Sequence, residues 1–213
     1  MNDPNLYRGL FKAVAAGALI GLGGMLYLTI ENPVLGALYF AIGFVAITMF
    51  NLPLFTGKLT KIRLSYIPEK HEDRMNYILM IMADLALTLA GNFFGAVAAG
   101  ALIFSTNEDL TLTSLILLHN KSNMISSCCI RAIICEIMIG IAANCNRSFF
   151  IILMSISSFI ILGGEHIVAN FFYVTATANI PANPYYLKEI LFFTFIGNIL
   201  GAIPYWFVKE EEE

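Results

Sequence analysis

Six long apolar runs limit what this chain can fold into. They cover about residues 10–30, 34–56, 76–104, 123–143, 149–178 and 189–208. A run of about 20 apolar residues is what a helix needs to cross the hydrocarbon core of a bilayer. None of the runs alternates with period two, so helices rather than barrel strands satisfy the backbone inside lipid. Only 13% of the 213 residues are charged and 58% are hydrophobic, whereas soluble domains carry about 25% charge. The expectation is an all-α integral membrane protein with six transmembrane helices in a single channel-sized domain, residues 1–213. A net charge of −3 with scattered basic residues excludes a nucleic-acid partner, which needs a phosphate-tracking basic face. Membrane lipid is the expected surroundings.

The first run follows Arg8 and Lys12 and continues past Tyr27. That is long for a cleaved signal sequence, so it reads as a retained first span. Cys128, Cys129, Cys135 and Cys145 sit in or beside one apolar run without CxxC or Cys/His spacing. They read as small helix residues rather than metal ligands, and no metal is expected. With both termini inside, the inner segments hold Arg8, Lys12, Lys58, Lys61, Arg63, Lys70, Arg74, Arg147 and Lys209, and the outer loops hold Lys121 and Lys188. That bias predicts cytoplasmic termini in the plasma (cell inner) membrane. Residues 105–121 read as a short outer loop.

The second and fifth runs carry interruptions: Asn51-Leu52-Pro53-Leu54-Phe55-Thr56-Gly57-Lys58 and Gly163-Gly164-Glu165-His166. The third and sixth each contain Gly-Asn-x-x-Gly-Ala, at residues 91–96 and 197–202. Folded at about residue 115, the chain becomes two halves of three spans, about 8–110 and 118–209. An odd number of spans per half makes them an inverted repeat, with broken second and fifth helices lining a central path. The paired glycines let helices approach closely. Asn92 and Asn198 are placed to tie their helices to unwound backbone at the breaks.

With these features in order, the sequence resembles the formate/nitrite transporter family. The resemblance rests on KAVAAGALIGLGG (12–24), LFTGK (54–58), GNFFGA, RAIICEIMIGIAA (131–143), GGEHIVANFF (163–172) and GNILGA. It implies an aquaporin-like protomer assembled as a homopentamer, each protomer with its own pore for a small monovalent anion such as formate, nitrite or hydrosulfide, and no cofactor. It makes Leu54, Phe55, Thr56 and Gly57 the loop of the first broken helix, with a gating role, and Phe40, Phe44 and Phe159 the hydrophobic constrictions. It makes His166 the pore histidine, with Glu165 beside it and Asn170 following, Lys121 a vestibule lysine, and Asn198 part of the closing GN motif. Gly163 and Asn92 complete the structural set at the breaks.

Desolvating a bare anion is costly. Positive potential at a pore mouth raises local anion concentration, and Lys121 is the outer candidate. A histidine midway, His166, with the Thr56 hydroxyl opposite, is suited to hydrogen-bond or transiently neutralise the anion. Both simple channel flux and proton-coupled flux are compatible with that arrangement. Glu165 is expected to bond freed N–H groups of the unwound segment; Lys58, Lys12 and Asp84 are expected to snorkel or cap. Three departures from the family stand out: Glu136 where Asn is common, Gly164 where an aromatic is common, and FFYVTATA without a proline. A buried Glu136 must be protonated or paired, and Gly164 is expected to widen the pore or loosen the break. Three other function classes compete for a chain of this kind: a neutral-solute pore of aquaporin-like architecture, a membrane enzyme and a non-transporting sensor. The paired NPA signature of the first is absent, since NIPANP at 179–184 occurs once, and a single intramembrane histidine gives an enzyme no partner group.

Overall fold

The structure is a computed structural model and describes residues 4–177 and 184–208. Its elements in chain order are α1 (Pro4–Thr29), α2 (Pro33–Met49), α3 (Phe55–Leu59), a 3-10 turn (Leu64–Tyr66), α4 (His71–Thr106), α5 (Glu108–Ser122), α6 (Ile125–Ala143), α7 (Phe149–Ile161), α8 (Ile167–Ala176) and α9 (Pro184–Trp206). Four helices among the described residues are long and apolar enough to cross a membrane: Leu6–Thr29, His71–Thr106, Ile125–Ala143 and Leu187–Trp206. Over the second and fifth runs, where interruptions were expected, the chain forms shorter apolar pieces, α2 followed by α3 and α7 followed by α8. The NIPANP stretch falls almost wholly outside the described residues, as do Lys209 and Glu210–Glu213.

Local chemistry accounts for the interruptions. After α2 the chain turns through Asn51 at φ 52°. Pro53 has no N–H to continue a helix and disfavours α geometry at the residue before it. After α7, Gly163 adopts φ 70°, a left-handed conformation that costs glycine little. Its N–H donates to Ile160 O at 2.9 Å and the Gly164 N–H to Phe159 O at 2.7 Å, closing the helix end. Residues 105–121, expected as loop, are largely helical. Asn107 caps α5 by accepting from the Leu110 N–H. Glu108 and Asp109 in the first turn suit the positive end of the helix dipole.

α1 packs along α4, and α6 along α9, while α2 lies against α1 and α7. The two Gly-Asn-x-x-Gly-Ala motifs form the closest seams. A Cβ on Gly95 would collide with the Val14 carbonyl of α1, and one on Gly201 would lie 2.6 Å from the Ile133 carbonyl oxygen of α6. The polarity of the molecule is the reverse of a soluble protein's: Leu79, Met80, Phe94, Phe150 and Phe192 are exposed, while Asn92, Asn170, Asn198, Glu136 and Glu165 have no exposed surface. Apolar side chains facing outward are what lipid requires.

Asn92 and Asn198 hold the interruptions through the same set of bonds. Asn92 Nδ2 donates to Ala13 O of α1 at 2.8 Å and to Pro53 O at 3.0 Å, and its Oδ1 accepts the Phe55 N–H at 2.8 Å. Asn198 Nδ2 donates to Ala132 O of α6 and Glu165 O, both at 3.0 Å, and its Oδ1 accepts the Ile167 N–H at 3.0 Å. Each carboxamide thus satisfies the first N–H of the helix that resumes and the carbonyl two residues earlier. Stranding a buried polar group costs about 1–3 kcal/mol. Asn92→Ala and Asn198→Ala should each lower the thermal midpoint of the purified protein in detergent by comparable amounts. A midpoint unchanged in either variant would show that water, not the carboxamide, satisfies that gap.

Candidate functional site between two cavities

The two interruptions meet at one hydrogen bond. His166 caps α8, its Nδ1 accepting the Ala169 N–H at 3.2 Å. With Nδ1 used as an acceptor, the neutral ring carries its proton on Nε2. Nε2 lies 3.0 Å from Thr56 Oγ1 in α3. Both residues are buried. The clamps make the two gaps correspond residue by residue: Pro53 to Glu165, Leu54 to His166, Phe55 to Ile167. The imidazole of one gap therefore stands where the other has a leucine.

Cavities open on either side of this pair. One, of about 210 Å³, is lined by Phe40, Phe159, Gly163, Gly164, Glu165 and His166, with Lys121 and Arg131. The second, of about 1120 Å³, is lined by Phe44, Leu54 and Gly57, with Lys58, Lys61, Arg63 and Arg147. Phe40 and Phe159 meet edge to face with centroids 6.4 Å apart, and Phe159 lies 6.4 Å from the His166 ring. Phe40, Phe159 and His166 on one side, and Phe44 and Leu54 on the other, thus flank the division between the cavities. Thr56 and His166 are the hydrogen-bonding side chains joined at the middle of this apolar division.

The smaller cavity is organised by Glu165. Its Oε2 accepts Lys121 Nζ at 2.6 Å and Asn170 Nδ2 at 3.0 Å, and Arg131 Nη2 pairs with Oε1 at 3.1 Å. Asn170 also accepts from Lys121 Nζ at 2.9 Å and donates to Thr194 Oγ1 at 3.1 Å. One buried carboxylate between two cations leaves net positive charge at this mouth. Glu165 was expected to bond freed backbone N–H groups; the structure instead gives its carboxylate to Lys121, Arg131 and Asn170. Lys121 does line the cavity but is tethered rather than free, because α5 folds back over α8.

Several other sequence-based expectations change. Asn170, expected beside the pore histidine, has both N–H donors engaged by Glu165 and Thr194, and Asn198, expected to tie its helix to the second gap, has both engaged by backbone carbonyls. Phe55, expected in the gating loop of the first break, lines neither cavity and stacks on Phe195 of α9 at 5.8 Å. Gly164 does not widen the break: a Cβ there would lie 2.8 Å from Phe159 O and 3.2 Å from the Cys135 Cβ. Glu136 has both carboxyl oxygens buried without a hydrogen-bond partner among the described residues. Of the two forms open to it, paired or protonated, those residues supply no partner for the first. Lys58 binds both oxygens of Asp84 at 2.6 Å.

Residues that the sequence did not single out complete the larger cavity. Arg63 donates to Thr60 O, Ile62 O and Tyr205 O, and through Nη2 to Asn144 Oδ1 at 2.9 Å. Arg147 reaches Asn51 Oδ1 at 2.6 Å. Their only sequence signal was the basic count of the loops; convergence required the fold. The carboxylate cluster gives a direct test. Removing one partner of a buried ionic group costs about 3–5 kcal/mol, so Glu165→Gln should strongly lower the thermal midpoint in detergent. A midpoint unaffected by Glu165→Gln would show that this carboxylate does not hold the two cations.

Comparisons with known proteins bear on the family and the fold. The chain is 26% identical over an alignment of 249 residues to a formate-nitrite transporter of Plasmodium malariae, covering 95% of this chain and 77% of that protein. Among solved structures, it is similar to a pentameric formate channel with formate bound, with a TM-score of 0.78, 17% identity, and 96% of each chain covered. It is also similar to an FNT family ion channel, with a TM-score of 0.74 and 20% identity, covering 94% of this chain and 87% of that one. The description of the formate/nitrite transporter family itself matches residues 3–207, and a match over nearly the whole length, on helices that share the fold of those channels, makes this chain a multi-pass membrane protein of the formate/nitrite transporter family.

Proposed function

We propose that the protein is a transmembrane channel for small monovalent anions of weak acids, of the formate, nitrite or hydrosulfide type. The observation that carries this reading is the His166–Thr56 hydrogen bond, flanked on both sides by cavities lined with cations. A small anion displaces the Thr56 hydroxyl or shares it and accepts the Nε2–H of His166. That donor offsets part of the desolvation cost at the narrowest level. A weak acid also has the option of crossing as its neutral form, with the proton passing through the imidazole. Lys121 and Arg131 at one mouth, and Lys58, Lys61, Arg63 and Arg147 at the other, raise the local anion concentration. An excess of cations over carboxylates at both mouths favours this reading over a neutral-solute pore. The chemistry is transport and not catalysis, and no cofactor enters it.

The architecture that fits is one domain of six transmembrane units in a 3+3 inverted repeat, the second and fifth each being a broken helix. The equivalent bonds of Asn92 and Asn198 support it. The basic loops assign the larger cavity and both termini to the cytoplasm of the plasma membrane, and the Lys121 cavity to the outside. The solved relative described as pentameric supports a homopentamer, each protomer conducting through its own path.

In liposomes, a panel of formate, nitrite, hydrosulfide, lactate, acetate and chloride should show flux of the small weak-acid anions well above chloride. Flux of His166→Asn and Thr56→Val should fall about tenfold or more if each removes one charge-assisted or hydroxyl contact, roughly 1.5–3 kcal/mol. Water or glycerol flux without anion flux would contradict the channel reading. Intact anion flux in His166→Asn would make that histidine purely a cap of α8.

A further inference from the structure

Phe159, which flanks the division between the cavities, is seated on Gly164. The Gly164 N–H donates to the Phe159 carbonyl at 2.7 Å. A Cβ at residue 164 would lie 2.8 Å from that oxygen and 2.9 Å from Cδ2 of the same residue's ring. Atoms that close must separate. The ring edge therefore occupies the room that any larger side chain at residue 164 would fill. The same Cβ would lie 3.2 Å from the Cys135 Cβ of α6, so the seat is walled by α6 as well.

The two sides of this contact are not equally free to move. The gap carrying Gly164 is tied to its surroundings at the next residue. Asn198 of α9 holds Glu165 O and the Ile167 N–H. The Glu165 N–H donates to Arg131 O of α6 at 3.4 Å, and its carboxylate pairs with Arg131 at 3.1 Å and Lys121 at 2.6 Å. Phe159 lies in the last turn of α7, and its ring borders the cavity of about 210 Å³. Phe40 lines that cavity too and meets the ring edge to face, with centroids 6.4 Å apart. Crowding at residue 164 is therefore relieved by the ring moving into the cavity toward Phe40, not by the gap moving back.

We propose that Gly164 is a specificity-determining position: by seating the Phe159 ring it keeps that ring back from Phe40, and so sets how bulky a weak-acid anion can reach His166. The inference rests on the anion-channel reading above and adds a size filter to it. Gly164 has no side chain to offer an anion and acts through Phe159, which makes it a positioning residue. Selectivity in a pore follows the radius that its lining side chains leave. Formate is compact, whereas acetate carries a methyl group in place of the formyl hydrogen. Passage of acetate thus depends on the place of the ring more steeply than passage of formate.

Formate and acetate flux into liposomes should be compared for the unmodified protein, Gly164→Ala, Phe159→Ala and the double variant. Gly164→Ala should lower acetate flux relative to formate about tenfold, the scale on which a close-fitting site distinguishes a methyl group. It should also lower the thermal midpoint in detergent. In the Phe159→Ala background the same substitution should still lower the midpoint, because the carbonyl of residue 159 stays crowded, yet leave the flux ratio unchanged. A ratio that Gly164→Ala does not alter, or alters as much without the ring as with it, overturns the proposal. A cryo-EM structure of the unmodified protein supplies a readout that needs neither transport nor a folded variant. The Phe159 ring edge packed against Gly164 is the expected result, and a ring turned away from Gly164 overturns the proposal. Absence of flux for every anion, with the ring still seated, counts against the channel reading and not against the seat.

Discussion

Everything at the centre of this molecule depends on two buried carboxamides. In lipid an interrupted helix has no water to bond its freed backbone groups, and each unsatisfied group costs several kcal/mol. Asn92 and Asn198 meet that requirement with three bonds apiece. Each reaches from a long helix to the carbonyl before the gap, the N–H after it, and the neighbouring helix. Close approach at Gly91, Gly95, Gly197 and Gly201 keeps each asparagine at that distance. Replace the glycines and the seams separate; replace the asparagines and the gaps lose their anchors.

Identical clamps carry unlike cargo. Counting from each asparagine's bonds, Leu54 and His166 hold equivalent places, as do Phe55 and Ile167. Thr56 is one residue further into its helix, and its hydroxyl meets the imidazole across the centre. The scaffold is therefore symmetric in its hydrogen bonds and asymmetric in its chemistry. The mouths differ in the same way. One has its cations gathered on Glu165, and the other has four cations with the carboxylate of Asp84 bound to Lys58 outside the lining. One cavity thus gathers its cations on a buried carboxylate, while the other holds them on separate partners: Asp84 for Lys58, backbone carbonyls and Asn144 for Arg63, and Asn51 for Arg147.

Much of this was legible in the sequence because it depends on local rules. Apolar run lengths located the long helices. Pro53 and Gly163 marked the gaps, and the repeated Gly-Asn-x-x-Gly-Ala pointed to the clamps. What was not legible depends on rotation and long-range convergence. Helix α5 has mixed polarity, so no apolar stripe announced it, though Asn107-Glu108-Asp109 is a workable start signal. Its return over α8 tethers Lys121 to Glu165. The turn of α3 sends Phe55 onto Phe195 and leaves Leu54 facing the cavity, a rotation that four consecutive letters do not encode. Arg131 lies in an apolar run, and its partner Glu165 is 34 residues away in sequence, so no local pattern joins them. The basic basin joins loops around residues 58–63 and 147, which only the packing of α2, α3 and α6 brings together.

The central claim is that anions pass at the contact between His166 and Thr56. The most direct measurement is a cryo-EM or crystal structure of the protein saturated with formate. The account predicts an anion within hydrogen-bonding distance, about 2.7–3.2 Å, of His166 Nε2 or Thr56 Oγ1, with the direct bond between them lengthened or broken. Formate bound elsewhere in the protomer, with the two side chains still bonded to each other and closed to both cavities, would contradict it.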